Sequence, residues 1–532
     1  MMIGAASRSV APNPISFRRS FPLLLGIVLW FGCFYGLGAA GIFDRDEGLY
    51  ATAARQMVES GDWIVPRIGP EVRFAKPPLI YWLQAPSILL FGPTPFAMRL
   101  PSGLAAALTA LLLWWWAKRR GVERIGRLAA MIYVLCPLTM ALVRQAIIDS
   151  LLTLCFTMTV IGWIEGYRGN RRGYLVMAIG MALATLAKSV MGLALPIAAF
   201  VLWLLLRRDG GEWRRVPWLP AIGLYLLIAL PWHLVMWRVT GDAFIQEYFL
   251  SNQAQRFMGQ KWGHVQPFWF YIPVLLVGMF PWSAFVPLAW WQNLQHLRQR
   301  ERTDLSCAWA MWASWAVVII GFFSLSKSKL PHYALPALPA LALLAATRLD
   351  ALWQTRGGLR IGEGVLFGVI GIAFGAVLTT VGVDRLMQTN PGAPLFGKTL
   401  SAKATDLVII LTPVVLAVGI LLLLGTLIIL ARWKVTAQAV GAMGLMNVLL
   451  LVLLMQLGLP AWNNYDIAPL HNLGRRALPA LERGEPLVIY ALKPTHTSLR
   501  FVLGHTPQVT ETDQPRVLQQ VMNRAESGYI LT

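Results

Sequence analysis

Charged residues are scarce in this sequence. Of its 532 residues only 13% are Asp, Glu, Lys or Arg, whereas 57% are hydrophobic. A soluble protein of this size carries about twice that charged fraction, so the soluble globular class is excluded. Apolar runs of about 20 residues recur along most of the chain, which predicts a polytopic helical membrane protein.

Acidic residues are few as well. The sequence has 25 Asp and Glu and 46 Lys and Arg, which gives a formal net charge of +21. In a soluble protein this excess would suggest a nucleic-acid partner. In a membrane protein it is mostly explained by basic loops on the cytoplasmic side, with some charge remaining for anionic ligands. We therefore predict no nucleic acid among the partners.

Cysteine is also rare, and Cys33, Cys136, Cys155 and Cys307 all lie in or beside apolar runs. These residues have neither the spacing of metal ligands nor the pattern of a disulfide framework, so we interpret them as small core residues. The sequence contains no internal repeat, which a transporter built from two related halves would show.

Apolar runs and the asymmetry of Lys and Arg together predict about thirteen membrane spans, with the N-terminus in the cytoplasm. The predicted spans are residues 21–40, 98–117, 128–145, 150–167, 173–187, 190–206, 218–236, 268–291, 306–323, 334–347, 362–383, 407–430 and 436–458. Every strongly basic short loop then falls on one side of the membrane. The short, Pro-rich segment 77–91 is predicted to lie along the outer interface instead of crossing.

The composition changes after Pro460. We predict a transmembrane region at residues 1–460, with a first outer loop at 41–97, and a small C-terminal α/β domain at 461–532 outside the membrane. Short strands are predicted at 487–492 and 499–503, then a helix at 516–526 and a final strand at 528–532. The predicted fold class is an all-α polytopic membrane protein with this small extramembrane domain.

The stretch from Asp44 to Trp82 is the only long polar interruption in the first half of the chain. Its adjacent carboxylates, Asp46 and Glu47, are candidates for a general base on an acceptor hydroxyl, or for binding a cation or an amine. The alternative is that Asp44 or Asp46 caps the helix predicted to follow. Both interpretations can hold together, because an N-cap also fixes a carboxylate rigidly.

Lys76 stands directly before two prolines, with Arg73 three residues earlier. Prolines restrict the backbone and thereby aim the ammonium group. Lysine and arginine are natural partners of a phosphate at the membrane interface. Snorkelling towards lipid headgroups explains the same residues equally well on the sequence alone.

Three further charges lie at predicted outer ends of spans. Arg144 and Asp149 flank one turn, where they either pair with each other or present a second carboxylate to the site of Asp46. Lys188 interrupts an apolar stretch of small residues, and a lysine there is costly unless it meets an anion or water. We interpret Lys188 as a functional residue.

A polar turn, Ser326–Tyr333, separates two later spans. Its Lys327 and Lys329 lie on the outer face, against the positive-inside bias, which favours phosphate binding. Tyr333 is either a site residue or an ordinary interfacial aromatic. His233 and His264 flank another outer loop, but their spacing specifies no metal site.

These residues fall within a series of motifs. The motifs are D-E, M-x-x-S-G-D-W-x-x-P, F-x-K-P-P-L-x-Y-W, R-L-P-S, A-K-S-x-x-G at Lys188 and S-K-x-K-L-P-x-Y-x-L-P at Ser326–Pro336. In combination, over roughly residues 40 to 345, they resemble the bacterial relatives of the protein O-mannosyltransferases. Those proteins are GT-C glycosyltransferases and include the lipid A aminoarabinose transferases.

The resemblance implies an inverting enzyme of the bacterial inner membrane that uses a sugar linked to a polyprenyl phosphate such as undecaprenyl phosphate. It implies a periplasmic site at the membrane surface above a cavity for the lipid chain, and lipid A or another envelope molecule as acceptor. By position, Asp46 matches the catalytic aspartate and Asp149 a supporting carboxylate. Lys76 and Lys188 match cationic residues near a phosphate, and Tyr333 matches a site tyrosine.

Two positions depart from the aminoarabinose transferases that the chain resembles. Those proteins have a glutamate, associated with a metal, where this chain has Ala75. The motif therefore does not support a divalent metal, and metal dependence stays open; no other cofactor is predicted. Those proteins also carry an arginine where this chain has Leu49, a charge that Arg73 is placed to supply. Both departures weaken the inference that aminoarabinose is the substrate more than they weaken the inference of the reaction class.

Other functions remain open at this stage. The acceptor is a protein or another envelope glycan in the protein O-mannosyltransferase-like alternative. A lipid or sugar transporter, or flippase, is the alternative of another class, although the charges lie at one face instead of the midplane. An assembly factor acting through the C-terminal domain leaves the residues from Asp46 to Lys76 unexplained.

Overall fold

The computed structural model describes residues 14–44, 46–207, 211–255, 258, 265–298, 304–355, 360–387, 402–434, 436–490, 497–504, 509–512, 514–524 and 529–531. Helices dominate these ranges. In chain order they are α1 Pro14–Leu29, α2 Asp46–Ser60, α3 Leu79–Phe91, α4 Pro95–Arg119, α5 Glu123–Leu135, α6 Pro137–Val143, α7 Asp149–Tyr167, α8 Arg171–Lys188, α9 Met191–Arg207, α10 Trp218–Thr240, α11 Asp242–Phe244, α12 Tyr271–Gly278, α13 Val286–Arg298, α14 Asp304–Leu325, α15 Leu338–Thr355, α16 Ile361–Met387, α17 Ala402–Ala431, α18 Thr436–Leu453, α19 Leu459–Trp462, α20 Ala468–Glu482, α21 Thr497–Leu503 and α22 Pro515–Arg524.

Tighter and wider helical turns extend several of these helices. The 3₁₀ segments are Glu212–Arg214, Phe268–Phe270, Trp282–Phe285 and Pro331–Ala337, and the π segments are Trp30–Phe34, Ile245–Gln255, Leu454–Gly458 and Asn463–Ile467. The strands are β1 Arg67–Ile68, β2 Glu71–Val72, β3 Leu487–Tyr490, β4 Val509–Thr512 and β5 Tyr529–Leu531.

The predicted multi-span membrane architecture is confirmed. Among the described residues, 8 helices are long and apolar enough to cross a membrane, or up to 10 if each of 2 bent pairs forms one span. The other three predicted spans correspond to shorter apolar helices at Phe21–Phe34 and Met191–Arg207 and to α8, which holds three charged residues. Segment 77–91, predicted not to cross, forms the short helix α3.

Two predicted spans are bent. The span predicted at 128–145 breaks by 59° between α5 and α6, and the one at 268–291 breaks by 115° between Phe268–Gly278 and Trp282–Asn293. Proline stands at each break, Pro137 at the start of α6 and Pro281 before the second arm. Proline removes a backbone donor and clashes with the preceding helical turn, so a straight helix is lost there.

Glycines let α7 and α8 approach closely. A Cβ added at Gly162 would lie 2.4 Å from the backbone nitrogen of Met177, and one at Gly173 would lie 2.4 Å from that of Gly166. Small residues of this kind allow helix backbones to pack tightly within a membrane. The two helices are consecutive and antiparallel, so the first residue of α7, Asp149, meets the last residue of α8, Lys188.

The C-terminal strands form a three-stranded parallel sheet in the order β4-β3-β5. Strands β3 and β5 and helix α22 lie where such elements were predicted, but the strand predicted at 499–503 is wrong, because this segment is the helix α21. Leu499 and Leu503 are four residues apart and share a helical face, and a run this short fits either periodicity. Strand β4 was not predicted.

Candidate active site

Two adjacent carboxylates at the start of α2 have different surroundings. Asp46 is exposed, whereas Glu47 is buried and is held by Arg99, whose Nε and Nη2 donate to its two oxygens at 2.7 Å and 2.9 Å. Glu47 also accepts the backbone N–H groups of Phe43 and Ala146, each at 2.7 Å. Glu47 therefore ties the first outer loop to α4 and to the turn before α7, and Asp46 faces solvent beside this clamp.

Asp149 and Lys188 form a buried ion pair. Lys188 Nζ donates to Asp149 Oδ1 at 2.7 Å, and the two residues are only 2% and 5% exposed. His332 Nε2 lies 3.8 Å from the other carboxylate oxygen, Oδ2. His332 was not among the predicted site residues, although its position beside Tyr333 in the Ser326–Tyr333 turn could have indicated it.

Aromatic rings enclose the ammonium group of Lys188. Its Nζ lies 4.5 Å from the ring centroid of Tyr333 and 5.8 Å from that of Phe323. The ring of Tyr333 also contacts that of His332, with centroids 4.7 Å apart. Cations over aromatic faces are attracted to the ring electrons, and more strongly when they are removed from water. Tyr333 therefore belongs to the immediate surroundings of the Asp149–Lys188 pair.

Arg73 joins the same region from the first outer loop. Its Nε donates to Tyr81 Oη at 2.9 Å, and its guanidinium lies 5.2 Å from the ring centroid of Tyr50. Burial acts to lower the pKa of Arg73, but Tyr81, Tyr50 and Asp46 outweigh burial and raise this pKa above its ordinary value. Arg73 is therefore a fixed positive charge near Asp46.

Tyr50 lies near both candidate carboxylates, and Lys76 lies near Asp149. Burial raises the pKa of Tyr50 well above its ordinary value. The nearby charges of Asp46 and Asp149 act in the same direction. Lys76 is half-buried and lies within electrostatic range of Asp149. Its interaction with this carboxylate is weaker than those of Lys188 and His332. The structure thus brings residues of the first outer loop to the start of α7.

Arg144 does not form the predicted pair with Asp149. Its guanidinium instead donates to backbone carbonyls around the end of the first span. The accepting residues are Phe31, Gly32, Tyr35 and Met140. Carbonyls at the end of a helix lack partners within the helix, and a buried guanidinium satisfies several of them. Arg144 therefore fixes the turn that precedes Asp149.

The two lysines of the Ser326–Tyr333 turn separate. Lys327 is exposed, whereas Lys329 is buried and donates from Nζ to the backbone carbonyls of Gln266, at 2.9 Å, and Ser326. Burial lowers the pKa of Lys329. Lys329 consequently holds two outer segments together, and Lys327 is the turn lysine that faces solvent.

The histidines considered for a metal site give no cluster. In α10, His233 contacts Ala229 O at 2.7 Å through Nδ1 and Tyr248 Oη at 2.9 Å through Nε2. His264 lies outside the described residues. Within the described ranges, no group of three or more His, Cys, Asp or Glu residues is arranged to hold a metal ion.

An apolar cavity of about 500 Å³ opens between the bent pair that contains α12 and α13 and helix α14. Its lining includes Tyr271, Ile272, Met279, Trp290, Ile320 and Gly321. Tyr271 Oη donates to the backbone carbonyl of Leu330 at 3.2 Å, in the turn that also carries His332 and Tyr333. The cavity therefore borders the surroundings of the Asp149–Lys188 pair.

Known proteins are similar to most of this chain. The family of dolichyl-phosphate-mannose-protein mannosyltransferases matches residues 75–237. An undecaprenyl phosphate-alpha-4-amino-4-deoxy-L-arabinose arabinosyl transferase of Edwardsiella ictaluri is 32% identical over 366 residues, which cover 67% of this chain and 64% of that protein. A second transferase of that description, from Sodalis glossinidius, is 34% identical over 58% of this chain and 56% of that protein.

The fold has a solved counterpart. The crystal structure of ArnT from Cupriavidus metallidurans bound to undecaprenyl phosphate matches with a TM-score of 0.75 at 21% identity, over 97% of this chain and 90% of that chain. The two chains therefore share a fold. The chain spans less than two thirds of the length of the two curated relatives. The predicted resemblance to GT-C glycosyltransferases of the aminoarabinose transferase type is confirmed.

Proposed function

We propose that this protein is an inverting glycosyltransferase that moves 4-amino-4-deoxy-L-arabinose from undecaprenyl phosphate to lipid A. The observation that carries the proposal is the buried Asp149–Lys188 pair beside the ring of Tyr333, together with an apolar cavity whose lining residue Tyr271 bonds to the turn that carries Tyr333. A donor that joins a long hydrocarbon chain to a phosphate and a sugar needs such a junction of apolar and charged surfaces. The arabinosyl transferase descriptions of the similar proteins support the choice of sugar and carrier.

The donor binds with its hydrocarbon in the cavity and its phosphate among the cations. Lys76, Lys188 and Arg73 supply positive charge at the inner part of the site, and exposed Lys327 adds charge at its edge. Preorganised cations stabilise the charge that develops on a departing phosphate, which is usually the largest contribution to catalysis of this kind. Tyr333 holds the ammonium of Lys188 in place.

Transfer then proceeds by a single displacement. An acceptor oxygen forms a bond to the anomeric carbon while the bond from that carbon to the donor phosphate oxygen breaks, and the phosphate leaves with the bonding electrons. If the acceptor is a hydroxyl, Asp46 takes its proton as general base. If the acceptor is an ionised phosphate of lipid A, no proton is transferred, and Asp46 orients the reacting groups. Asp149 orients Lys188 in either case.

The remaining predicted site residues act by position. Glu47 and Arg144 hold the two turns that carry Asp46 and Asp149, and Lys329 holds the turn that carries Tyr333. We place this site on the periplasmic side of a bacterial inner membrane, with the N-terminus cytoplasmic and the C-terminus periplasmic. Residues 1–460 form the membrane region in this proposal, and residues 461–532 form a periplasmic domain.

A reconstituted assay tests the proposal. Purified protein in liposomes is given lipid A and 4-amino-4-deoxy-L-arabinose linked to undecaprenyl phosphate, and lipid A is analysed by mass spectrometry. We expect wild-type protein to add the sugar, and Lys76→Met to reduce the rate by about 100-fold or more through the loss of one preorganised charge. Gly223→Ala is the control, because its added Cβ meets no atom within 4 Å. Absence of transfer by the wild type contradicts the proposal.

A second candidate is transfer of a sugar to a protein. The matching family over residues 75–237 is described as a protein mannosyltransferase, and Ala75 departs from the aminoarabinose pattern. The same liposomes, supplied with polyprenyl-phosphate mannose and envelope protein in place of lipid A, distinguish the two. Labelled protein and unchanged lipid A would favour this second function.

A further inference from the structure

Helix α21 of the C-terminal region packs directly on α2, the helix that begins with Asp46. Thr52 Oγ1 donates to the backbone carbonyl of Thr497 at 3.0 Å, and Arg55 Nη1 donates to that of Val502 at 3.0 Å. Arg55 also donates to the carbonyl of Phe501. These bonds join residues more than 440 positions apart in the sequence, and hydrogen bonds from a charged donor are stronger than neutral ones.

A second contact fixes the chain just before Asp46. The side chain of Asp44 accepts, through Oδ1, the backbone N–H of Ser498 at 2.9 Å. The backbone at Gly48 lies against the same part of α21. A Cβ built there would be 2.4 Å from Thr497 Oγ1 and 2.7 Å from the Ser498 nitrogen. The contact therefore has no room for even one additional methyl group.

Asp46 consequently lies between two anchors of different origin. On one side Glu47 is clamped by Arg99 of the membrane region. On the other side Asp44 and Gly48 are pressed against α21. The exposed carboxylate of Asp46 has its position set by both anchors, because it belongs to the same short stretch of backbone.

We propose that helix α21 is a positioning element of the transferase site, which holds α2 so that Asp46 faces the reacting groups. This proposal rests on the proposed function, since it concerns the same carboxylate. The C-terminal region then contributes to catalysis by positioning α2. Thr497 and Ser498 act through α2 and need not touch either substrate.

Turnover and donor binding should depend on different residues of the site. The donor phosphate is held by Lys76 and Lys188, which lie outside the contact between α2 and α21. Displacing α2 therefore misplaces Asp46, whereas Lys76 and Lys188 do not belong to α2 and keep their positions. A misplacement of about 1 Å at a reacting group lowers rates by about 100-fold. The expected signature is a fall in kcat without a matching rise in the KM of the donor.

The first test inserts a wedge in the full-length protein. Gly48→Ala places a methyl group against Thr497 and Ser498, and Gly223→Ala adds the same group to a helix with open space. In liposomes containing the undecaprenyl-phosphate-linked sugar and lipid A, we expect kcat of Gly48→Ala to fall at least about tenfold below that of Gly223→Ala. The donor KM should stay within about threefold.

The second test removes and restores one hydrogen bond. Asp44→Ala deletes the acceptor of the Ser498 N–H, whereas Asp44→Asn keeps an oxygen at that position. We expect Asp44→Ala to lower kcat and Asp44→Asn to retain most of it. Thermal unfolding in detergent, measured for each variant, checks that the preparations compared are equally folded.

The outcomes distinguish this proposal from the function on which it rests. If Asp46→Asn abolishes transfer while Gly48→Ala turns over like Gly223→Ala, the positioning proposal is overturned and the function stands. A fall in activity of Gly48→Ala that only follows loss of folded protein overturns it as well. If wild-type protein transfers no sugar, the proposed function itself has failed.

Discussion

Asp149 and Lys188 are each other's principal partner at 2.7 Å, and both are buried. Removing one partner of a buried pair leaves an uncompensated charge, which costs about 3–5 kcal/mol. We predict that Lys188→Met and Asp149→Asn each lower the temperature of unfolding in detergent. The double variant should regain much of that stability, because no buried charge is left alone, yet it should remain inactive in sugar transfer. A stable and active double variant would show that the pair is only structural.

Lys327 and Lys329 should respond in opposite ways to substitution. Lys329 donates to two backbone carbonyls, so Lys329→Ala removes both hydrogen bonds and lowers thermal stability. Lys327 is exposed, so Lys327→Ala should unfold like the wild type and raise the donor KM by about two- to tenfold through the lost charge. Unfolding curves and donor titrations of both variants, at low and high salt, check this division. Equal effects of the two substitutions would contradict it.

Sequence patterns found the charged residues but not their partners. Lys188 was identified correctly as a lysine that needs an anion, because burial of a lone charge is costly in any fold. The partners of Arg144 could not be found in this way, since its acceptors are backbone carbonyls 109 to 113 positions away or in the helix that directly precedes it. Glu47 was indistinguishable from Asp46 until Arg99 was brought beside it by tertiary packing.

The bent helices decide where the apolar cavity lies. The sequence predicts one span at 268–291, and a hydrophobic run carries no information on the direction of the chain after a proline. Its 115° break instead separates two arms, and the cavity opens beside them against α14. A chain-binding groove could therefore be expected from the family resemblance, but its walls could not be identified from the sequence.

Filling this cavity should affect long donors selectively. Gly321 lines the cavity, and a Cβ at this position meets no atom within 4 Å. We predict that Gly321→Leu raises the KM for a donor with the full undecaprenyl chain by about tenfold, since apolar area is lost to the lipid. A short-chain analogue should be affected far less. Gly26→Leu, on α1 with similarly open surroundings, is the control. Equal losses with both donors would exclude this cavity as the lipid site.

The distribution of charge predicts how the whole molecule sits in the membrane. In the predicted topology the basic short loops fall on one side of the membrane, and Asp46, Lys76, Lys188 and Lys327 fall on the other. We predict that alkaline phosphatase fused after residue 532 is active in the periplasm, and that the enzyme fused into the loop between α4 and α5 is inactive. The reverse pattern would place the candidate site in the cytoplasm and contradict the account.

Lipid extracts show whether this protein transfers a lipid-linked sugar covalently in cells. Mass spectrometry would compare cells that carry the wild-type protein with cells that carry Asp46→Ala at equal protein levels. We expect a build-up of glycosyl phosphopolyprenol in the variant and the loss of one 4-amino-4-deoxy-L-arabinose from lipid A. Identical lipid-linked sugars and identical envelope molecules in the two strains would contradict transfer and point to transport or assembly.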